Sequence, residues 1–140
     1  MRSLFIFIWC SAILILTSTA SFHDLIHFGV VSFQWDSSPS YSAFFSPFPA
    51  GISRDLMVQK LGHVVVFLVL TVLLLTKFRS NLLILFMAAS FAALTEVLQL
   101  HFTRGGRLFD IGFDLTGILI AIGIARFFRI KQKRQLDLGN

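Results

Sequence analysis

Apolar residues fall into four long blocks along this chain. The first is Leu4 to Ala20, the second about Leu61 to Thr76, the third Leu82 to about Leu100 and the fourth about Leu108 to Phe128. A helix needs about 20 apolar residues to cross the hydrocarbon core of a bilayer. Each block is therefore read as a membrane helix (about 4–20, 61–76, 82–100 and 108–128), the two shorter ones extending into flanking residues. Lys77 to Asn81 is a tight polar connection, and His101 to Arg107 is another, with Gly105 and Gly106 as its turn. Ser21 to Gln59 is a long loop, rich in Ser and Phe and carrying Pro39, Pro47 and Pro49. The first block also fits a cleavable signal peptide, with Arg2, an apolar stretch from Leu4 to Leu16, and Ser18-Thr19-Ala20 before the cut. It is read here as a helix, and both readings leave Ser21 on the same side. The fold class is an all-α integral membrane protein: four transmembrane helices in one bundle, a single domain spanning residues 1–140.

Composition agrees. Hydrophobic residues make up 56% and charged ones 14%, with a mean hydropathy of +0.81, whereas soluble domains carry about 25% charged residues. In 140 residues, four spans leave no room for a large soluble domain, and six spans do not fit. The net charge of +5 arises from 12 Lys and Arg against 7 Asp and Glu. Five of the basic residues (Arg126, Arg129, Lys131, Lys133 and Arg134) crowd the tail 129–140 or the turn before it. A basic tail after an apolar helix follows the positive-inside rule, so nucleic acid need not be invoked as a partner. With both termini inside, the cytoplasm holds Arg2, Lys77, Arg79 and those five. The outside holds only Arg54, Lys60, Arg104 and Arg107. Eight against four places both termini in the cytoplasm and the loop 21–59 outside. The expected location is the cell membrane, multi-pass, with the lipid bilayer as the first partner. Cys10 is the only cysteine and can form no internal disulfide.

The informative residues are polar groups in an apolar setting. An ionised side chain at the middle of a spanning helix costs about 2.5–3.5 kcal/mol on insertion scales. Lys60 and His63 share a face of the second helix, as Glu96 and Gln99 do on the third. Asp110, Asp114 and Gly117 form one stripe of the fourth. With alternating helix directions, all these groups fall at one depth, beneath the outer surface, next to Arg104 and Arg107. Ala88 and Ala92 line the third helix, and Gly117 and Ala121 the fourth, with small side chains that permit close packing. These two helices are expected to meet, with Glu96 and Gln99 facing Asp110 or Asp114.

Lys60-x-x-His63, Glu96-x-x-Gln99, the arginines of Arg104-Gly-Gly-Arg107, and Asp110-x-x-x-Asp114-x-x-Gly117 together resemble the VanZ-like family of small bacterial membrane proteins. The resemblance covers about residues 59–123 and is most specific from Glu96 to Gly117. Gln59 stands where the family often has an acidic residue, and Asp114 where it often has Asn; either Arg104 or Arg107 supplies the family's arginine. The resemblance implies a bacterial cell membrane and action near its outer surface. The family is named for a member associated with low-level resistance to teicoplanin, a lipid-tailed glycopeptide, and brings no agreed reaction with it.

Lys60, His63, Glu96, Gln99, Arg104, Arg107, Asp110 and Asp114 are thus the candidate polar cleft. The leading expectation is a cell-envelope protein binding a lipid-linked envelope component or a lipid-tailed small molecule such as a glycopeptide antibiotic, with Lys and Arg holding phosphate or carboxylate. The alternatives are an intramembrane enzyme, with Glu96 or Asp110 as general acid/base and His63 as partner, and a structural scaffold for a partner membrane protein. Glu96, Asp110 and Asp114 offer oxygen ligands to a hard cation, but the nearby Lys and Arg would neutralise them first; no metal and no cofactor are expected. His23 and His27 can share a helix face, and two histidines alone do not make a site. The aromatics of the long loop (Phe22, Phe28, Phe33, Trp35, Tyr41, Phe44, Phe45 and Phe48) suit the membrane interface or a cap on the bundle.

Overall fold

The computed structural model describes the backbone of residues 1–47, 51 and 53–138. Among them there are helices and no strand. α1 (Arg2–Ser18) is followed by the short α2 (Phe22–Phe28), then by a 3-10 turn at Tyr41–Phe45. α3 (Arg54–Lys77), α4 (Asn81–His101) and α5 (Leu108–Leu138) complete the chain. α3 and α4, and α5 over Leu108–Gln132, are each long and apolar enough to cross a membrane. α1 and α2 form a pair bent by 108°, which counts as a further span only when the two are taken together.

Three boundaries differ from the hydropathy reading. α3 starts at Arg54 rather than near Leu61, because Ser53 caps it: the Ser53 Oγ accepts from the Leu56 N–H, and Asp55 sits in the first turn. Polar residues such as Gln59 and Lys60 conceal these turns from a hydropathy window while leaving helix formation undisturbed. The long loop also contains α2, capped by Ser21, whose Oγ accepts from the Asp24 N–H, and closed by Gly29 in the left-handed conformation at φ 65°. The tail beyond Phe128 continues as helix to Leu138, since Lys, Gln, Arg and Leu are good helix formers and neither Gly nor Pro intervenes. Phe48 and Pro49 of the loop, and the side chains of Lys133 and Arg134 in the tail, lie outside the described residues.

α3 is central. Its Phe67, Leu70 and Leu74 are buried with Ile84, Ala88 and Ala92 of α4 and Ile118 and Ile122 of α5; Ile13 of α1 joins the same core. α1 leans on α3 through Trp9, whose Nε1–H donates to the Val66 carbonyl at 2.9 Å. That half-buried contact makes Trp9 a packing residue. Large apolar side chains elsewhere, among them Leu82, Phe86, Leu119 and Phe127, face outward as bilayer contact requires. α4 and α5 do pack together, but the tightest approach of α5 is to α3. A Cβ on Gly117 would overlap the Val64 carbonyl and the Leu68 amide nitrogen. Gly117 thus serves the α3–α5 seam, whereas Ala88 and Ala92 are buried in the core beside it.

Candidate functional site

The ends of α1 and α4 and the starts of α3 and α5 gather at one end of the bundle, called here the loop end. Lys60 is six residues into α3 and Glu96 five residues before the end of α4, about 9 Å and 7.5 Å along their helices at 1.5 Å per residue. The common depth expected from the sequence is therefore present, and the side chains meet there. Lys60 Nζ lies 2.6 Å from Asp110 Oδ1. His63 Nδ1 lies 2.8 Å from Asp114 Oδ1 and 3.6 Å from Glu96 Oε1. The Gln99 Nε2–H donates to Glu96 Oε1 at 3.3 Å, and the Arg107 backbone N–H donates to Glu96 Oε2 at 3.0 Å. All six side chains are buried, Glu96 and Asp114 completely. Glu96 thus meets His63, Gln99 and the Arg107 backbone and lies within 4.8 Å of Asp114, while Asp110 belongs to Lys60. Asp114 Oδ2 has no hydrogen-bond partner among the described residues, a rare condition in a buried carboxylate.

The two arginines separate. Arg104 turns toward α1: its Nη1–H donates to the Thr19 carbonyl at 2.6 Å and more weakly to the Leu16 carbonyl at 3.4 Å. These are carbonyls a helix C-terminus leaves free, and the guanidinium also lies 5.3 Å from the Phe22 ring centroid. Burial lowers the Arg104 pKa from its ordinary value, with the Glu96 carboxylate opposing that shift. Arg107 contributes its backbone, and its guanidinium has no ion pair among the described residues. The connection holding them is tight. Thr103 takes a positive φ of 56°, a strained state for a β-branched residue, and Gly105 takes 67°.

Gly106 does more than turn the chain: it sets how closely the connection packs on α4. It is buried against the last turns of α4, and a Cβ there would overlap the Glu96 carbonyl and crowd Gln99. The lack of a side chain lets the α4–α5 connection lie flat enough for the Arg107 N–H to reach Glu96. Gly106→Ala is expected to destabilise the protein by about 1–3 kcal/mol, measured by unfolding in mixed micelles; an unchanged unfolding midpoint would contradict this close approach.

Beside the network, between α1, α2 and α3, lies a pocket of about 170 Å³. Ile13, Leu16, Phe22, Leu25, Ile26 and Val66 form its apolar wall, and Gln59, His63 and Arg104 its polar part. A larger groove of about 600 Å³, between the 3-10 turn and α5, is lined mainly by Phe44, Phe45, Phe109 and Phe113 and contains none of the candidate site residues. Part of the long loop is strapped to the end of α4. Asp36 N–H donates to the His101 carbonyl at 2.7 Å, the His101 Nδ1–H returns to the Asp36 carbonyl at 3.1 Å, and Trp35 stacks on the His101 ring.

Among the described residues, two groups of side chains have the donor types and spacing to hold a metal. His63, Glu96 and Asp114 are one, although Lys60 beside Asp110 already places a cation in this network. His23, His27 and Asp55 are the other, at the junction of α2 and α3. Sequence reasoning found the two histidines but not Asp55, which lies 28 residues beyond His27.

A family model described as VanZ/LLP1 matches residues 3–129. The chain belongs to that family. A Bacillus subtilis (strain 168) relative, described as "Uncharacterized membrane protein YwnJ", is 32% identical over 128 residues, which are 91% of this chain and 90% of the relative. No solved structure matches. With its long apolar helices, this VanZ/LLP1 member is a multi-pass membrane protein. The family match starts at residue 3 and thus takes in α1, well before the Lys60 motif. Gln59 lines the pocket, and Asp114 accepts from His63.

Proposed function

We propose that this VanZ/LLP1 protein binds, in the pocket between α1, α2 and α3, the acidic head of a lipid-linked envelope component or of a lipid-tailed glycopeptide. Arg104 holds the anion, and the apolar wall takes the adjoining hydrocarbon. The observation that carries this reading is the pocket's makeup, a hydrophobic wall ending at a half-buried arginine. Arg104 uses Nη1 on the α1 carbonyls, and Nε and Nη2 make no hydrogen bond among the described residues. Its remaining donors match a phosphate or carboxylate, and neighbouring apolar surface strengthens such a bond by excluding water. The polar network next door acts as a lock that sets the register of α3, α4 and α5, the best-attested use of buried ion pairs.

In this reading α1 is the fourth span, α2, bent by 108° from it, lies along the loop end, both termini lie in the cytoplasm, and the loop end faces out. Charge placement supports that orientation. Arg2, Lys77 and Arg129 sit together at the opposite end, where Arg2 donates to the Thr76 carbonyl, Lys77 to Ser3 and Arg129 to Asn81. At the loop end Lys60 is neutralised by Asp110 and Arg104 is partly buried, so the difference in free positive charge exceeds the eight-to-four count.

A second reading, an intramembrane enzyme, has one observation in its favour. His63 lines the pocket while its Nδ1 is held by Asp114, and a carboxylate-oriented imidazole is a common general base.

Drug susceptibility of a Gram-positive host tests the binding reading, with empty vector, wild type, Arg104→Gln and Glu96→Gln at matched expression. Wild type is expected to raise tolerance of teicoplanin and not of vancomycin. Arg104→Gln should weaken binding of a labelled teicoplanin to the purified protein by about ten- to a hundredfold and abolish the tolerance. Equal susceptibility of all four strains would remove the glycopeptide as ligand. If the binding assay also showed no saturation with an acidic lipid, the pocket would not be a binding site.

A further inference from the structure

We infer that His23, His27 and Asp55 form a binding site for a divalent transition-metal ion of the zinc class at the loop end, joining α2 to the first turn of α3. His23 and His27 are four apart on α2, which brings their rings onto one face with centroids 4.3 Å apart. α3 supplies Asp55 between them. His23 Nδ1 is 3.0 Å from Asp55 Oδ2, and His27 Nε2 is 3.6 Å from Asp55 Oδ1. One ligand atom from each residue lies within 4.8 Å of the other two.

These separations suit a metal. Ligand bonds of about 2.0–2.2 Å in tetrahedral geometry put neighbouring ligand atoms roughly 3.4 Å apart, and the two observed separations bracket that figure. Two imidazoles and one carboxylate select a borderline cation, because Ca²⁺ and Mg²⁺ prefer shells made of oxygen. Access is open: the side chains of His23, His27 and Asp55 are 59%, 47% and 42% exposed. A cation would therefore reach the site from water, and three protein ligands leave a coordination position free. The ion would also pin α2, whose Phe22, Leu25 and Ile26 wall the pocket, but the metal site stands on its own geometry and does not depend on what the pocket binds.

The test is calorimetric titration of Zn²⁺ into the full chain, purified in detergent through a tag without histidine. Wild type should bind one equivalent saturably, and Ca²⁺ should give no heat. His27→Ala and Asp55→Asn should each weaken Zn²⁺ binding by about tenfold or more. Asp55→Asn keeps the shape of the side chain, so its loss of affinity would not reflect a lost helix. Asp114→Asn, in the buried network, should leave the affinity unchanged. The inference is overturned if wild type takes up no Zn²⁺, if His27→Ala and Asp55→Asn bind like wild type, or if Asp114→Asn is the variant that loses the ion.

Discussion

Lys60→Met is expected to destabilise the bundle by about 3–5 kcal/mol, and Lys60→Met/Asp110→Leu to recover most of that loss. The Lys60 and Asp110 side chains are 9% and 5% exposed, and their 2.6 Å ion pair is the only polar contact of Asp110 Oδ1 among the described residues. Removing the ammonium alone strands a carboxylate where little water can solvate it. Removing both members takes away the desolvation cost together with the attraction, so an apolar pair of similar size comes close to break-even. Met preserves the length of the lysine stem and much of its packing, which keeps the comparison electrostatic. Unfolding in mixed micelles, run on both single variants and the double, isolates the pair energy. A double variant no more stable than Lys60→Met would show that the loss comes from packing.

Gly117→Val should be as damaging, for a steric reason. The added Cβ would meet the backbone of α3 at Val64 and Leu68, and backbone cannot rotate aside as a side chain tip can. α3 and α5 must move apart, at a cost of about 3 kcal/mol or more. The damage would spread, because the His63–Asp114 bond crosses the same seam one turn away. Gly123→Val is the control. A Cβ there meets nothing within 4 Å, and a change of no more than about 0.5 kcal/mol is expected. Membrane accumulation and unfolding midpoint of the two variants decide the matter. Equal stability would mean that α3 and α5 do not touch at Gly117.

The helices were legible because hydrocarbon length sets a minimum for any spanning segment, and blocks of apolar residues declare it. α2 was not legible. At seven residues it is shorter than any hydropathy window, and its caps, Ser21 and Gly29, lie in a stretch whose Ser content reads as loop. The start of α3 at Arg54 was hidden for a related reason, since helix propensity and lipid solubility are different properties and only the second changes at Leu61. The same distinction explains α5, which remains helical through a tail that charge alone had suggested was an end.

Site residues divide in the same way. Lys60, His63, Glu96, Gln99, Asp110 and Asp114 stood out because ionisable or amide groups at membrane depth are costly and therefore few. Their partners did not. Periodicity placed Asp110 and Asp114 on one stripe, yet Asp110 meets Lys60 and Asp114 meets His63. Arg104 looked interchangeable with Arg107, yet one reaches the end of α1 through its side chain and the other reaches Glu96 through its backbone.

By itself, the sequence determined that this chain enters a membrane as helices, and which polar groups it carries to one depth. Those properties depend on each segment's own contact with lipid. Which group touches which was decided by the tertiary structure, because helix spacing depends on where backbones come close, at Gly106 against Glu96 and at Gly117 against Val64. A helix face has the same period whatever it packs against, so neighbours separated by tens of residues, such as His27 and Asp55 or Arg104 and Thr19, become visible only when the bundle closes.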